Sequence, residues 1–457
     1  MNALIAVLLA VCFVLPACYL AAALPALWLA QNTILAERAA LLKMGGVDVT
    51  LVDLVLVLLM AKFALSVVLT RQLAADRPLY LAIAFYLGVN VLASVAAGAQ
   101  FGNPHMLRSF IALARLLSEI AIVPILAQSI ATLPQARRCG QIVLVTLVVL
   151  GVIQFVNFFS ASRGFVIGEV QGMERGELRY FGPVGDSVGF VLLLGYLAAL
   201  CAGRLAGVLL FAGGIVLTAG LGAFFGAGVA TLLFAIFGLP TEVLRGAARK
   251  TLWIVPLALF AVALVASTVA RPMVTTLVER LSTGKYRESA SQRMASTSLG
   301  VRMILANPVL GVGFMGYAAA LPHYGGRQFF DLSKENGGTA NANNQLIQTL
   351  TDAGLCGLLS VIALVGASLH LFMKLARSLD DPLLTTLFRA AFIWLLAQVL
   401  GNMAAVWIVP SSYIARLLWV LLGLGVAVAR ISTAAGSTAN AKRQTPDYNR
   451  GGMLSFA

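Results

Sequence analysis

Two clusters of side chains have the types and spacing to do chemistry. The first is basic. Arg163, Arg175 and Arg179 fall in one polar stretch, and Arg271, Arg280, Lys285, Arg287, Arg293, Arg302, Arg327 and Lys334 in another. A guanidinium stays charged and presents a planar fork of donors that matches phosphate bidentately. Both stretches border long apolar runs, so the cluster suits a lipid-linked diphosphate or an acidic glycan. Contact with anionic lipid headgroups is the plainer alternative. The second cluster is Asn341, Gln345, Gln348 and Asp352, which share one helix face, with Asn344 beside them. Amides and a carboxylate at membrane depth are costly and usually face a cavity. A helix start also offers free N–H donors and a partial positive charge, a ready anion site. Here the structural alternative is an N-cap by Asn343 with interhelical hydrogen bonding.

The elements that must position these residues follow from composition. The chain has 457 residues, 60% hydrophobic and only 11% charged, with a mean hydropathy of +0.92. Soluble domains carry about 25% charged residues, so this chain needs lipid as solvent. Apolar runs of about 20 residues recur, each long enough to span a bilayer as a helix. The runs are continuous and do not alternate, which excludes a β-barrel. The expectation is an all-α polytopic membrane protein of about 12 transmembrane helices, one membrane domain over residues 1–431. Spans are expected at about 4–29 (kinked by Pro16 and Pro25), 50–69, 78–98, 109–131, 140–159, 184–202, two within 205–239 divided near Gly220 and Gly222, 251–270, 346–373, 383–404 and 411–430. The N-terminus has no basic n-region and reads as a retained span. The Ser/Thr/Ala/Gly-rich tail, 432–457, reads as disordered.

Short-loop charges orient the chain. With the N- and C-termini cytoplasmic, Arg71, Arg77, Arg137, Arg138, Arg245, Arg249, Lys250, Lys374 and Arg377 fall inside. Two loops then lie outside, 161–183 and 271–343, the second a large periplasmic loop between spans 9 and 10. Long loops of this kind are usually functional. Within it, residues 293–305 place Met294, Leu299, Met303 and Ile304 between Arg293 and Arg302, a pattern for a short amphipathic helix on the membrane surface. Asn307-Pro308 should end it, and Gly311 and Gly313 should allow a tight turn.

Other features are read as structural. The net charge of +14 sits in loops and does not imply nucleic acid. Five cysteines form no CxxC and read as buried apolar residues; three scattered histidines make no zinc cluster, and no metal site is expected. Arg115 and Glu119, four residues apart inside a span, read as a buried ion pair, while Asp53, Lys62, Arg389 and Arg416 could snorkel. His105 and His323 lie outside the membrane; either could be a general base, and without a partner each reads as a bystander. No Walker, Rossmann or G-x-S-x-G motif appears, so no cofactor is expected and a substrate would arrive already activated.

The run Arg302-Met-Ile-Leu-Ala-Asn307-Pro308-Val-Leu-Gly311-Val-Gly313, followed by Asn344-Gln-Leu-Ile-Gln-Thr-Leu-Thr-Asp352-Ala-Gly354-Leu-Cys-Gly357, resembles the O-antigen ligase/O-antigen polymerase superfamily of bacterial inner-membrane glycosyltransferases. Arg179-Tyr-Phe-Gly182-Pro183 looks like the family's other outer arginine motif. The resemblance is specific over about 290–360 and weaker over 161–240. It implies a donor glycan on undecaprenyl diphosphate, a sugar acceptor on another lipid-linked repeat, and membrane lipids or a chain-length regulator as partners. By resemblance Arg179 and Arg293 are diphosphate clamps with Asn343 and Asp352 in the catalytic group, and Arg280, Arg302, Asn341, Asn344, Gln345 and Gln348 bind substrate. Two departures stand out. Many members have His-Asn where this chain has Asn343-Asn344, and a Ser-Arg-Gly run near the seventh/eighth boundary is replaced by Ala219-Gly220-Leu221-Gly222.

Overall fold

The computed structural model describes residues 14–34, 40–44, 47–70, 76–160, 165–167, 169–171, 179–182, 188–218, 221–238, 285–325, 341–342, 344–401, 408 and 412–444. The helices are α1 (Ala17–Ala22), α2 (Leu24–Ile34), α3 (Leu51–Thr70), α4 (Arg77–Phe101), α5 (Asn103–Ile120), α6 (Ile122–Ser129), α7 (Leu133–Ser160), α8 (Val188–Cys201), α9 (Leu205–Leu217), α10 (Leu221–Leu233, extended by a π turn), α11 (Lys285–Ala306), α12 (Tyr317–Ala320, followed by a 3₁₀ turn over Leu321–Tyr324), α13 (Gln345–Ser378), α14 (Pro382–Gly401) and α15 (Tyr413–Gln444). Two short antiparallel hairpins interrupt the all-helical pattern. β1 (Ala40–Met44) pairs with β2 (Val47–Thr50), and β3 (Glu169–Gln171) with β4 (Arg179–Gly182).

Among the described residues, six helices are long and apolar enough to cross a membrane: α4, α5 with α6, α7, α13, α14 and α15. This is a polytopic membrane protein. The expected count of twelve is not confirmed by the described residues. The sixth, seventh and eighth spans are present as α8, α9 and α10, of 14, 13 and 13 residues. At 1.5 Å per residue these cover about 20 Å, short of a hydrocarbon core of about 30 Å. The division of 205–239 between α9 and α10 is as expected, whereas the span at 251–270 lies outside the described residues. At the other end α15 continues through Gln444, past Ser432, because its Ala-rich sequence favours helix even where it turns polar.

The bundle is built around α8, whose residues Val188–Leu200 are all buried. Glycines let its neighbours close in. A Cβ at Gly195 would overlap Phe211 of α9, and one at Gly213 would overlap Phe155 of α7. On the other side, Trp394 of α14 donates its indole N–H to the Phe190 carbonyl at 2.8 Å.

Glu119, expected to pair with Arg115, is bonded by a residue far along the chain. Glu119 Oε1 accepts from Arg416 Nε at 2.8 Å, with the two side chains 2% and 6% exposed. Arg416 also lies 5.0 Å over the Trp28 ring, so it is buried in the bundle and does not snorkel. The contact with Arg416 follows from packing: α6 lies along α15, which brings Glu119, just before α6, to α15. Asp53, in the first turn of α3, closes a capping box, accepting from Thr50 N at 2.8 Å while its own N–H goes to Thr50 Oγ1, and Lys62 donates to the Leu15 carbonyl at 2.9 Å.

Candidate active site

The two motifs that carry the resemblance form one interlocked element. Helix α11 ends at Ala306, just before Asn307-Pro308, and the chain turns through Gly311 and Gly313, both at positive φ (64° and 93°). Opposite, α13 is broken at Gly354 (φ 62°, ψ −156°). In an unbroken helix Leu355 N would donate to Thr351 O, and Cys356 N to Asp352 O. Both bonds are open here, and the turn takes up all four groups. Val312 N donates to Thr351 O and Gly313 N to Asp352 O, each at 2.8 Å. Leu355 N donates to Pro308 O at 2.9 Å, and Cys356 N to Val309 O at 3.3 Å. Two helical bonds become four between elements. Glycine is required on each side, because a Cβ at Gly311 would collide with the Thr351 carbonyl oxygen and one at Gly354 with the Val309 carbonyl.

Side chains fasten the same joint. His105 at the start of α5 is buried and bonds through Nε2 to the Val312 carbonyl at 2.6 Å. A carbonyl only accepts, so Nε2 carries the hydrogen. His105 is therefore a structural contact of the turn and not an extramembrane bystander. The His323 ring lies 5.2 Å from that of Phe101, tilted by 46°. Ser296 of α11 donates to the Asn341 carbonyl at 2.7 Å and lies 2.9 Å from the Tyr317 hydroxyl, which donates to the Ser296 carbonyl at 2.7 Å. Burial pushes the Tyr317 hydroxyl above the usual tyrosine range, opposed by its bond to Ser296.

The expected polar helix face exists, and the structure shows how its groups are engaged. Asn344, not Asn343, is the N-cap of α13, its Oδ1 accepting from Leu346 N at 2.8 Å and Ile347 N at 3.1 Å. Gln345 donates to Thr349 Oγ1 at 3.0 Å and accepts from Ile408 N at 2.9 Å. Gln348 accepts from Ala342 N at 2.9 Å and gives its amide N–H to both oxygens of Asp352, each at 2.9 Å. Asp352 is 4% exposed.

Of the remaining expected residues, Arg302 is exposed near the end of α11 and Arg293 lies on the same helix. The helix is longer than the expected 293–305. Its Leu299 and Met303 pack inward, whereas Met294 and Leu305 are 73% and 75% exposed. Arg179 sits on β4 opposite Gln171, and β4 packs on the end of α7. There Asn157 brackets Ile167 with bonds of 3.0 and 2.7 Å. Beside it, an apolar groove of about 390 Å³ is lined by Val152, Phe155, Phe159 and Leu210. Arg280 and Asn343 lie outside the described residues. Structure thus brings Asn341, Asn344, Gln345, Gln348 and Asp352 together at the start of α13, and leaves Arg302 exposed on α11. It adds Ser296, Tyr317 and His105, which no spacing in the sequence marks.

Residues 206–362 match a family model described as O-antigen ligase. The match supports the O-antigen ligase/polymerase superfamily, and with it a ligase/polymerase-type, glycosyltransferase-like function in a bacterial membrane protein. The O-antigen ligase match begins in α9, takes in α11 and the whole backbone joint, and ends inside α13; Arg179 lies outside it. No curated protein matches the chain.

Proposed function

We propose that this chain polymerises glycan repeats carried on undecaprenyl diphosphate, at the periplasmic face of the inner membrane. The observation that carries the reading is the α11–α13 joint inside the O-antigen ligase match. It fixes an arginine-bearing helix against a polar helix entry, at one end of a bundle of apolar spans. A lipid diphosphate is already a good leaving group, so the protein's task is to neutralise the charge that grows on it and to align an acceptor hydroxyl. Arg179, Arg293 and Arg302 clamp the diphosphate, with Arg280 in the same basic loop. Asn341, Asn343 and Asn344 orient the acceptor sugar. The apolar groove on α7, beside the strand that carries Arg179, supports a seat for the isoprenoid chain. The scheme calls on no metal ion or cofactor.

Loss of one charge-stabilising donor costs about 10²- to 10³-fold in rate. Arg293→Ala should lose at least that, and a normal glycan length distribution in the variant strain would sink the assignment. The deciding experiment places purified protein in liposomes with a short oligosaccharide on undecaprenyl diphosphate and follows released lipid diphosphate and product length together. Release with a ladder of longer glycans supports the polymerase. Release only when a separate acceptor is supplied makes the chain a ligase, the second reading, favoured by the description of the matching family. Gain of such transfer in Asn343→His would point the same way. No release, with label crossing the bilayer, would make it a transporter.

A further inference from the structure

We propose that the outward face of α13 binds an anionic phospholipid: His370, Lys374 and Arg377 at its far end take the headgroup phosphate, and the apolar row before them takes an acyl chain. The proposal is independent of the glycosyltransferase reading.

Beyond the break at Gly354, one row of residues faces out of the bundle. Leu355, Leu359 and Ile362 are 54%, 51% and 57% exposed, and Gly366, His370, Lys374 and Arg377 continue the row, all of them exposed. Steps of three or four residues keep the whole row on one helix face. On the opposite face Leu364, Ser368, Leu371, Phe372 and Leu375 are buried in the bundle. The row is apolar for about three turns and then turns basic. At Gly366 a Cβ would meet nothing within 4 Å, so the row is shallowest just before the charges.

Depth and neighbours fit a headgroup. At 1.5 Å per residue, His370 stands about 24 Å along the helix from Gly354 and Arg377 about 35 Å. Those positions bracket the far edge of a hydrocarbon core of about 30 Å. Helix α4 packs along α13, with Ala93 near its end and Ala353 near the start of α13 in one buried cluster. The two helices are therefore antiparallel. Arg77 comes 16 residues before Ala93, and His370 comes 17 after Ala353. Arg77, also exposed, thus lies level with His370. Nearby acids are engaged elsewhere. Asp76 caps α4, accepting from Leu79 N at 3.3 Å, and Asp381 caps α14, accepting from Leu383 N and Leu384 N at 3.0 Å each. A helix C-terminus favours cations on any of its faces, and topology places them in loops. Neither sets a histidine, a lysine and an arginine in line at the end of an exposed apolar row. A diacyl lipid with a phosphate headgroup matches both parts of the row.

The test is native mass spectrometry of the full-length chain from detergent micelles, titrated with dioleoyl phosphatidylglycerol or dioleoyl phosphatidylcholine. The parent should prefer the anionic lipid. Lys374→Gln with Arg377→Gln should weaken phosphatidylglycerol binding about 30-fold, the scale of two cations at a lipid surface. Lys374→Arg with Arg377→Lys keeps the charge and should bind as the parent does. Arg137→Gln with Arg138→Gln removes two exposed cations from α7 and should leave binding unchanged. Equal affinity for the two lipids overturns the proposal. So does unchanged binding in the Lys374/Arg377 glutamine variant, or an equal loss in the α7 variant, which would reduce the effect to net charge. Two competitors judge the occupant. Glycerol phosphate without acyl chains should not displace the lipid; if it does, the row holds only a free phosphate. Undecaprenyl phosphate bound more tightly than phosphatidylglycerol would likewise overturn the assignment.

Discussion

Glu119 and Arg416 form a buried ion pair whose value depends on both members being present. Taking two charges out of water costs several kcal/mol each, and only good geometry offsets it. Here the 2.8 Å bond is supported by the Trp28 ring under the guanidinium. Removing one partner leaves a charge stranded in the bundle, so Arg416→Met should lower stability by about 3–5 kcal/mol. Adding Glu119→Leu should return most of that loss. Thermal unfolding of the two single variants and the double variant in detergent checks the cycle; a double-variant loss equal to the sum of the two single losses would mean that the pair contributes no coupling. Tyr317 offers a residue-scale test with a pH sign. Its folded-state pKa is raised, so folding favours the neutral hydroxyl. The contribution is fully present below about pH 10, the unfolded value, and is lost as pH rises through the folded one. Tyr317→Phe should be less stable than the parent at neutral pH, by about 1 kcal/mol, and the gap should shrink in strongly alkaline buffer.

At the scale of elements, the joint between the α11 turn and α13 explains why two separated motifs occur together. Each supplies the backbone groups that the other leaves open, and an unsatisfied buried group costs about 1–3 kcal/mol. Gly311→Ala and Gly354→Ala should therefore each destabilise the protein by about 2 kcal/mol or more, from positive-φ strain and collision together, and should abolish activity. Gly366→Ala on the same helix α13 is the control, since a Cβ there meets nothing within 4 Å; it should be neutral or slightly stabilising. Unfolding midpoints of the three variants check this. The same joint marks how far the sequence could be read. The helix stop at Asn307-Pro308, the turn at Gly311 and Gly313, and the polar face of α13 were all legible, because proline, glycine and helical spacing act locally. The break at Gly354 was not, because it depends on a turn more than 40 residues earlier in the chain. Glu119 was legible as buried and charged but not as the partner of Arg416. Arg416 lies almost 300 residues away, and only the packing of α6 along α15 brings the two together. His105 carried no local signal at all.

For the molecule as a whole, the decisive question is which side of the membrane the joint faces. The helices define two ends. At one, Arg137 lies 4.0 Å from Asp381 and Arg430 bonds the Ile130 carbonyl at 2.5 Å; Lys374 and Arg377 close α13 at the same end. At the other end are the start of α13, the α11 turn and the end of α4. Basic residues concentrate on the cytoplasmic side of short loops, so the first end should be cytoplasmic and the joint periplasmic, where a lipid-linked glycan would be elongated. Single cysteines in a cysteine-free background decide this. A cysteine at Ser298, exposed on α11, should react with a membrane-impermeant maleimide in cells whose outer membrane has been permeabilised. One at Lys374, exposed at the far end of α13, should react only after the inner membrane is opened. The reverse pattern would place the arginines of α11 in the cytoplasm, where lipid-linked precursors are built and not polymerised. The periplasmic polymerase reading would then be lost, even with every contact of the joint intact.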